Sequence, residues 1–256
     1  MTSLKLSHPD QAIGQIAEFL RKTFAQAGKT KAVVAVSGGI DSAVSLTLLT
    51  QALGAGDVFP VFLPYHDQDT TDAKEIAQWN EIDPQNWREI NIGPVVDQLQ
   101  ETLLIDAADK VRLGNVMART RMIAVFDLAK KLDGLVCGTE NKSEHYLGYF
   151  TRFGDGASDI EPLINLYKTQ VKELARELRI PDKFITKIPS AGLWTGQTDE
   201  QELGFSYEDA DKVMMQLIDQ EKEPEEIKNV DQKIVKQVIV QVNRMRFKHE
   251  VPYTLN

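Results

Sequence analysis

Ala32-Val-Val-Ala-Val-Ser-Gly-Gly-Ile-Asp-Ser42 is a run of small and β-branched residues that breaks at two glycines and passes directly into helical spacing. Val33 to Val36 suit a strand buried on both faces. The glycines let backbone come close to a ligand, and free amides before a helix start favour an anion. The stretch reads as a phosphate cradle, although two glycines alone also fit a purely structural turn. It is not a Walker A loop, because no lysine follows Gly39, and it is not Gly-x-Gly-x-x-Gly. Ser37 and Ser42 add hydroxyl donors. Asp41 would repel a phosphate unless a cation lay between them, so the combination points to Mg²⁺ with a nucleoside triphosphate, Asp41 on the metal side.

Around this stretch the chain alternates. Apolar spacing predicts a helix from His8 to Gly28 and another from Asp41 to Leu53, closed by Gly54. Val58–Leu63 is a second strand, Thr70–Trp79 a helix, and Trp87–Ile92 a third strand stopped by Gly93-Pro94. Asn115–Leu132 is helical, and Gly134–Thr139 is a fourth strand ending in a glycine-threonine turn. Helices follow at Lys168–Leu178, from Ser206, where Asp209 suggests a capping box, and at Asp231–Lys248. Between Pro189 and Gly204 neither period holds, which predicts a loop able to close over a ligand. Strands alternating with helices give an α/β fold with a mostly parallel sheet. Ligands then gather beyond the carboxyl ends of the strands, where the glycine turn sits.

The 256 residues are 42% hydrophobic and 26% charged, with no linker or low-complexity tract, which predicts a single domain over 1–256. A formal net charge of −9 disfavours a nucleic-acid groove. No apolar run approaches the ~18 residues of a membrane span, and Met1–Asp10 lacks a signal-peptide core. The lone Cys137 excludes an internal disulfide framework and fits a reducing compartment, so the expected location is cytoplasmic.

Ser37-Gly-Gly-Ile-Asp-Ser42 resembles the pyrophosphate loop of the N-type ATP pyrophosphatases. Gly114-Asn-Val-Met-Ala-Arg-Thr-Arg-Met122, Gly138-Thr-Glu-Asn-Lys-Ser-Glu144 and Gly148-Tyr-Phe-Thr-Arg-Phe-Gly-Asp-Gly156 are similar, in order and spacing, to segments of bacterial NAD synthetases. Pro162-Leu, Lys168, Pro189-Ser-Ala and Asp199-Glu200 with Leu203-Gly204 extend the likeness along nearly the whole chain. The resemblance implies a Rossmann-like fold of the adenine-nucleotide alpha hydrolase type, with helices on both faces of the sheet. It implies an ammonia-dependent ligase that adenylates the nicotinate carboxylate of deamido-NAD and amidates it, giving NAD and AMP. ATP is expected on Ala35, Val36, Ser37, Gly38, Gly39, Ile40, Asp41 and Ser42, with Gln68, Thr139, Lys168 and Ser190. Mg²⁺ is expected at Asp41 and Glu144. Deamido-NAD is expected at Arg119, Arg152, Asp159, Lys248 and His249, Asp159 also being the candidate base for ammonia. Lys248-His249-Glu250 departs from the His-Lys-Arg run of many relatives, and Arg152 stands where lysine is common. A homodimer is implied as well.

The residue types carry their own weight. Lys168 opens a helix, where a cation sits poorly against the dipole, so a phosphate partner explains it better. Arg119 and Arg121, two apart on a helix, cannot share a face. Tyr146, Tyr149, Phe150 and Phe153 can stack a base or simply pack. One cysteine argues against the paired cysteines of sulfur-inserting tRNA enzymes, and His8, His66, His145 and His249 form no zinc pattern. A tRNA-modifying relative and a nucleotide sensor without turnover remain the alternatives.

Overall fold

The computed structural model describes residues 4–194 and 196–255. Helix α1 (Pro9–Gln26) buries Ala17, Leu20 and Phe24, and the chain leaves it through Gly28 in left-handed backbone. Strand β1 (Ala32–Ala35) and α2 (Ile40–Leu53) flank the glycine turn, and β2 (Val58–Phe62) with α3 (Thr71–Trp79) repeats the unit. The third strand, β3, shrinks to Arg88–Glu89, short of the expected Trp87–Ile92. Gly93-Pro94, read as a stop, instead starts α4 (Gly93–Thr102). Proline is at home in a first helical turn, where its missing N–H has no partner to lose.

Helix α5 (Lys110–Leu132) begins ahead of Asn115 because the Asp109 side chain caps it, accepting the Arg112 N–H. After β4 (Leu135–Cys137) come α6 (Lys142–Leu147), α7 (Lys168–Glu177), α8 (Asp182–Thr186) and α9 (Asp199–Leu203). Then α10 (Tyr207–Met214) starts at the Ser206 cap, whose hydroxyl accepts from Asp209 N, and α11 (Gln232–Met245) follows. Helix α9 lies inside the segment expected to be loop throughout. With α6 and α8 it is too short to display a helical period.

All four strands are parallel, in the order β3-β2-β1-β4. The chain runs outward from β1 to β3 and returns to the other side of β1 with β4. That reversal places a crevice beyond the carboxyl ends of β1 and β4, where such sheets bind ligands. Ala32 and Val34 join Leu46, Leu49, Phe62 and Val171 on one face, while Val33 joins Phe59, Val61, Val125 and Leu128 on the other. The sheet is thus covered on both sides, as parallel sheets require. A third cluster, including Leu147, Tyr167, Tyr207, Val213 and Val238, ties α6 to α10 and α11 away from the sheet. Cys137 is buried in the first cluster. Among the described residues no helix is long and apolar enough to cross a membrane.

Candidate active site

The glycine turn is rigid in its own right. Gly38 has φ +75°, and a Cβ there would stand 2.7 Å from Asp72 Cβ and 3.0 Å from Ala73 N, so only glycine fits against the start of α3. Ser42 Oγ donates to Gly39 O at 3.0 Å and accepts from Ser37 N at 3.2 Å, while Gly39 N donates to Ser37 Oγ at 3.2 Å. Gly39 caps α2 without a side chain, leaving the first-turn amides uncovered by their N-cap. Those are the donors a phosphate takes. Lys187, which the sequence reading does not select, stands beside the turn: its ammonium donates to Gly38 O at 3.1 Å and pairs with Asp72.

Three of the predicted residues converge beside this turn. Lys168 Nζ lies 2.6 Å from Asp41 Oδ2 and 2.8 Å from Glu144 Oε1. The lysine side chain is 3% exposed and the two carboxylates 14% and 16%, so this is a largely buried cluster. Asn141, the N-cap of α6, holds it together: its Nδ2 donates to Asp41 Oδ1 at 2.8 Å, and its Oδ1 accepts from Glu144 N at 3.0 Å. Two acids share one base. Burial, followed by the Asp41 charge, pushes the Glu144 carboxyl up to about 8 despite the Lys168 ammonium. The same two carboxylates raise Lys168 above its ordinary range against the opposing effect of burial.

This donor set fits a divalent cation. Asp41 and Glu144 each bring a carboxylate oxygen to the Lys168 ammonium, and a divalent cation would draw on the same two carboxylates while favouring the ionised form of Glu144. Mg²⁺ typically takes one or two protein carboxylates and completes its shell with water and phosphate. Among the described residues no larger group of His, Cys, Asp and Glu is arranged to hold a metal.

The remaining predicted residues divide into two groups. Gln68 reaches across the crevice, its Nε2 donating to Gly192 O at 3.0 Å. Its Oε1 accepts at 3.0 Å from Nη2 of Arg121, whose Nε donates to Leu63 O at 3.0 Å. Arg121, rather than Arg119, is the arginine turned toward the strand ends. Arg119 is exposed and donates to Arg152 O at 3.3 Å. Thr139 follows β4 half-buried, and Ser190 is exposed, its hydroxyl accepting from Gly192 N at 3.1 Å.

The other group is occupied with structure. Asp159 accepts from Val136 N at 2.7 Å and donates its own N–H to Val136 O, extending the edge of β4. Lys248 Nζ donates to Gly148 O and Phe150 O, both at 2.6 Å, which ties the end of α6 to the C-terminal segment. The His249 ring stacks on His145 at 4.2 Å and on Phe150 at 6.2 Å. Phe150 thus packs, while Phe153 is 55% exposed beneath the Arg152 guanidinium.

A parallel sheet with a glycine turn at its switch point, and a buried lysine–dicarboxylate cluster beside it, is the arrangement of a nucleotide-binding α/β enzyme. The family model described as NAD synthase matches residues 12–252, and the chain belongs to that family. The NH(3)-dependent NAD(+) synthetase of Pyrococcus furiosus is 42% identical over 247 residues, covering 95% of this chain and 93% of its own. A solved structure of NMN synthetase from Francisella tularensis matches at TM-score 0.85 and 32% identity, over 98% of this chain and 100% of that one. The NH3-dependent NAD synthetase of Campylobacter jejuni, solved with a nitrate ion, matches at TM-score 0.81 and 25% identity, over 97% and 99%. With an archaeal relative this similar, the sequence does not single out a bacterial branch.

Proposed function

We propose that the protein is an ammonia-dependent NAD synthetase, converting deamido-NAD, ATP and ammonia to NAD, AMP and pyrophosphate. One arrangement supports this most directly: the buried Lys168 ammonium between Asp41 and Glu144, beside the glycine turn. The relative at 42% identity over most of both chains bears that name.

The amides and hydroxyls of Ser37–Ser42 bind the ATP phosphates, with Gln68, Thr139 and Ser190 completing the nucleotide site. The nicotinate carboxylate attacks the α-phosphorus and pyrophosphate departs. Lys168 opposes the negative charge that gathers there. Asp41 and Glu144 would hold Mg²⁺, which would supply further stabilisation of the phosphate charge. Ammonia then attacks the activated carbonyl, and AMP leaves. Arg119 and Arg152 receive deamido-NAD. Lys248 and His249 shape that side of the site through the backbone carbonyls of Gly148, Phe150 and His145 that they bind. Asp159, whose Oδ2 accepts from Val136 N, is proton acceptor by the resemblance alone. No side-chain nucleophile is required. Alignment of two bound substrates supplies much of the rate.

We further take the chain as one ligase unit fed with free ammonia, cytoplasmic and homodimeric. The buried Cys137 fits a reducing compartment. Helix α5 leaves Val111 65% and Ile123 60% exposed, as a helix serving an interface does.

The test supplies ATP, Mg²⁺, ammonium and deamido-NAD and follows NAD and AMP. Equimolar products are expected; ATP binding without AMP, or AMP only with tRNA, would overturn the reading. The NMN synthetase of Francisella tularensis matches this chain over almost its full length and makes nicotinate mononucleotide the competing acid. A kcat/KM higher for the mononucleotide than for deamido-NAD would favour that second reading.

A further inference from the structure

Asp211 belongs to none of the segments assigned to substrate, yet it is a fully buried carboxylate at 0% exposure. A buried acid is costly unless its oxygens are satisfied, and both partners here adjoin the site. Oδ1 accepts the hydroxyl of Ser143, the residue before Glu144. Oδ2 accepts the N–H of Thr169, the residue after Lys168, at 2.9 Å. Ser143 Oγ in turn accepts the Lys168 N–H at 2.8 Å. The result is a closed network joining the first turns of α6 and α7 through one side chain of α10.

The network answers a local difficulty. Helix α7 opens with a lysine, and its N-cap, Tyr167, offers no side-chain cap of its own. Asp211 and Ser143 supply the missing acceptors from other elements, and the carboxylate lies at the positive end of the helix dipole. The same contacts set where the side chains of Lys168 and Glu144 begin. Burial raises the Asp211 carboxyl to about 6, partly offset by its Ser143 and Thr169 hydrogen bonds, so it remains mainly an acceptor at neutral pH.

We propose that Asp211 is a positioning residue for adenylation, fixing Lys168 and Glu144 against the phosphate cradle without touching substrate. This rests on the reading that Lys168 opposes charge at the α-phosphorus. Partners of this kind typically contribute roughly 10–100-fold in activity. Since the charge grows in the transition state, the loss falls on kcat and kcat/KM together.

The experiment measures AMP formation and thermal midpoint for wild type, Asp211→Asn, Asp211→Ala, Ser143→Ala and Ser206→Ala. Ser206→Ala removes the cap of α10 and weakens that helix while leaving the network intact, so it reports what destabilisation alone does. Asp211→Ala and Ser143→Ala should lower kcat at least about tenfold with KM for ATP nearly unchanged. Asp211→Asn, which keeps one oxygen acceptor, should recover part of the loss, and Ser206→Ala should keep wild-type kcat. The proposal is overturned if kcat follows the thermal midpoint through all variants, if the loss lies wholly in KM, or if the Asp211 and Ser143 variants all fail to fold. A wild-type protein that forms no AMP overturns the functional reading instead.

Discussion

Lys168 and Asp41 stand 2.6 Å apart across 127 positions of sequence, and the contact joins the start of α7 to the start of α2. Lys168→Ala should abolish AMP formation and destabilise the fold, since breaking a buried pair costs about 3–5 kcal/mol. The loss should depend on pH. The folded Glu144 carboxyl titrates near 8, against 4.5 ordinarily, so the folded state holds a proton that the unfolded state releases between those values. Stability from this group therefore falls as pH rises through that window. Without Lys168 the folded value rises further, and urea midpoints should separate more at pH 9 than at pH 6. Equal separation would refute the coupling.

The two glycines of the cradle should fail differently. Gly38→Ala places a side chain at positive φ and against α3, which should cost about 1–3 kcal/mol in strain before the overlap is counted. Gly39→Ala meets only Ser37 Oγ, at 3.3 Å, and should fold normally while holding phosphate away from the amides. Thermal melting and calorimetric titration with ATP distinguish them. A stable Gly38→Ala protein would contradict the geometry.

Arg121 and Gln68 act as one chain from Leu63 to Gly192. Arg121→Lys cannot make both contacts with a single ammonium. That variant and Gln68→Ala should each raise KM for ATP about tenfold, equivalent to ~1.4 kcal/mol. Coupled residues are not additive, so the double variant should be little worse than either single one. Arg119→Ala should instead raise KM for deamido-NAD. Full additivity in steady-state kinetics would dissolve the chain.

Glu161 lies over Gly138, where a Cβ would fall 1.7 Å from its Oε1. Its oxygens accept from Ser158 Oγ at 2.7 Å and Glu140 N at 3.1 Å. Burial pushes its carboxyl up to about 8, with the Ser158 hydrogen bond opposing and the Glu140 charge assisting. Below pH 4.5 both folded and unfolded forms are protonated, and between 4.5 and 8 only the folded form keeps its proton. Stability therefore declines across that window and is flat above it. Glu161→Gln should match wild type near pH 5 and exceed it at pH 9 in urea denaturation. Unchanged stability at pH 9 would place the carboxylate in water.

Much of the fold is readable because β1 and β2 are continuous apolar runs bounded by turn residues, while α1 and α5 are long helices. The edge strand is shorter than its composition suggests: within Trp87–Ile92, β3 proper spans Arg88–Glu89, although Ile90 N and Ile92 N still donate to Phe62 O and Pro64 O. Helix α4 escaped because proline signals both an end and a beginning. In the site, Asp41 and Lys168 are legible as charges in revealing places, Glu144 rests on the resemblance, and the structure brings the three together. Arg121 and Asp211 are not legible, because a lone arginine on a helix or an acid after a cap has no signature until tertiary contacts supply one. Lys248 shows the converse, a cation whose ammonium is spent on backbone carbonyls.

Cys137 is 2% exposed, and burial raises its thiol well above the ordinary range. The protein is therefore nearly silent toward thiol-reactive reagents while folded. Gln201→Cys, at an exposed position of α9, would create a single addressable sulfur in 189–204. A fluorophore attached there would follow that segment through each substrate addition against a dark background.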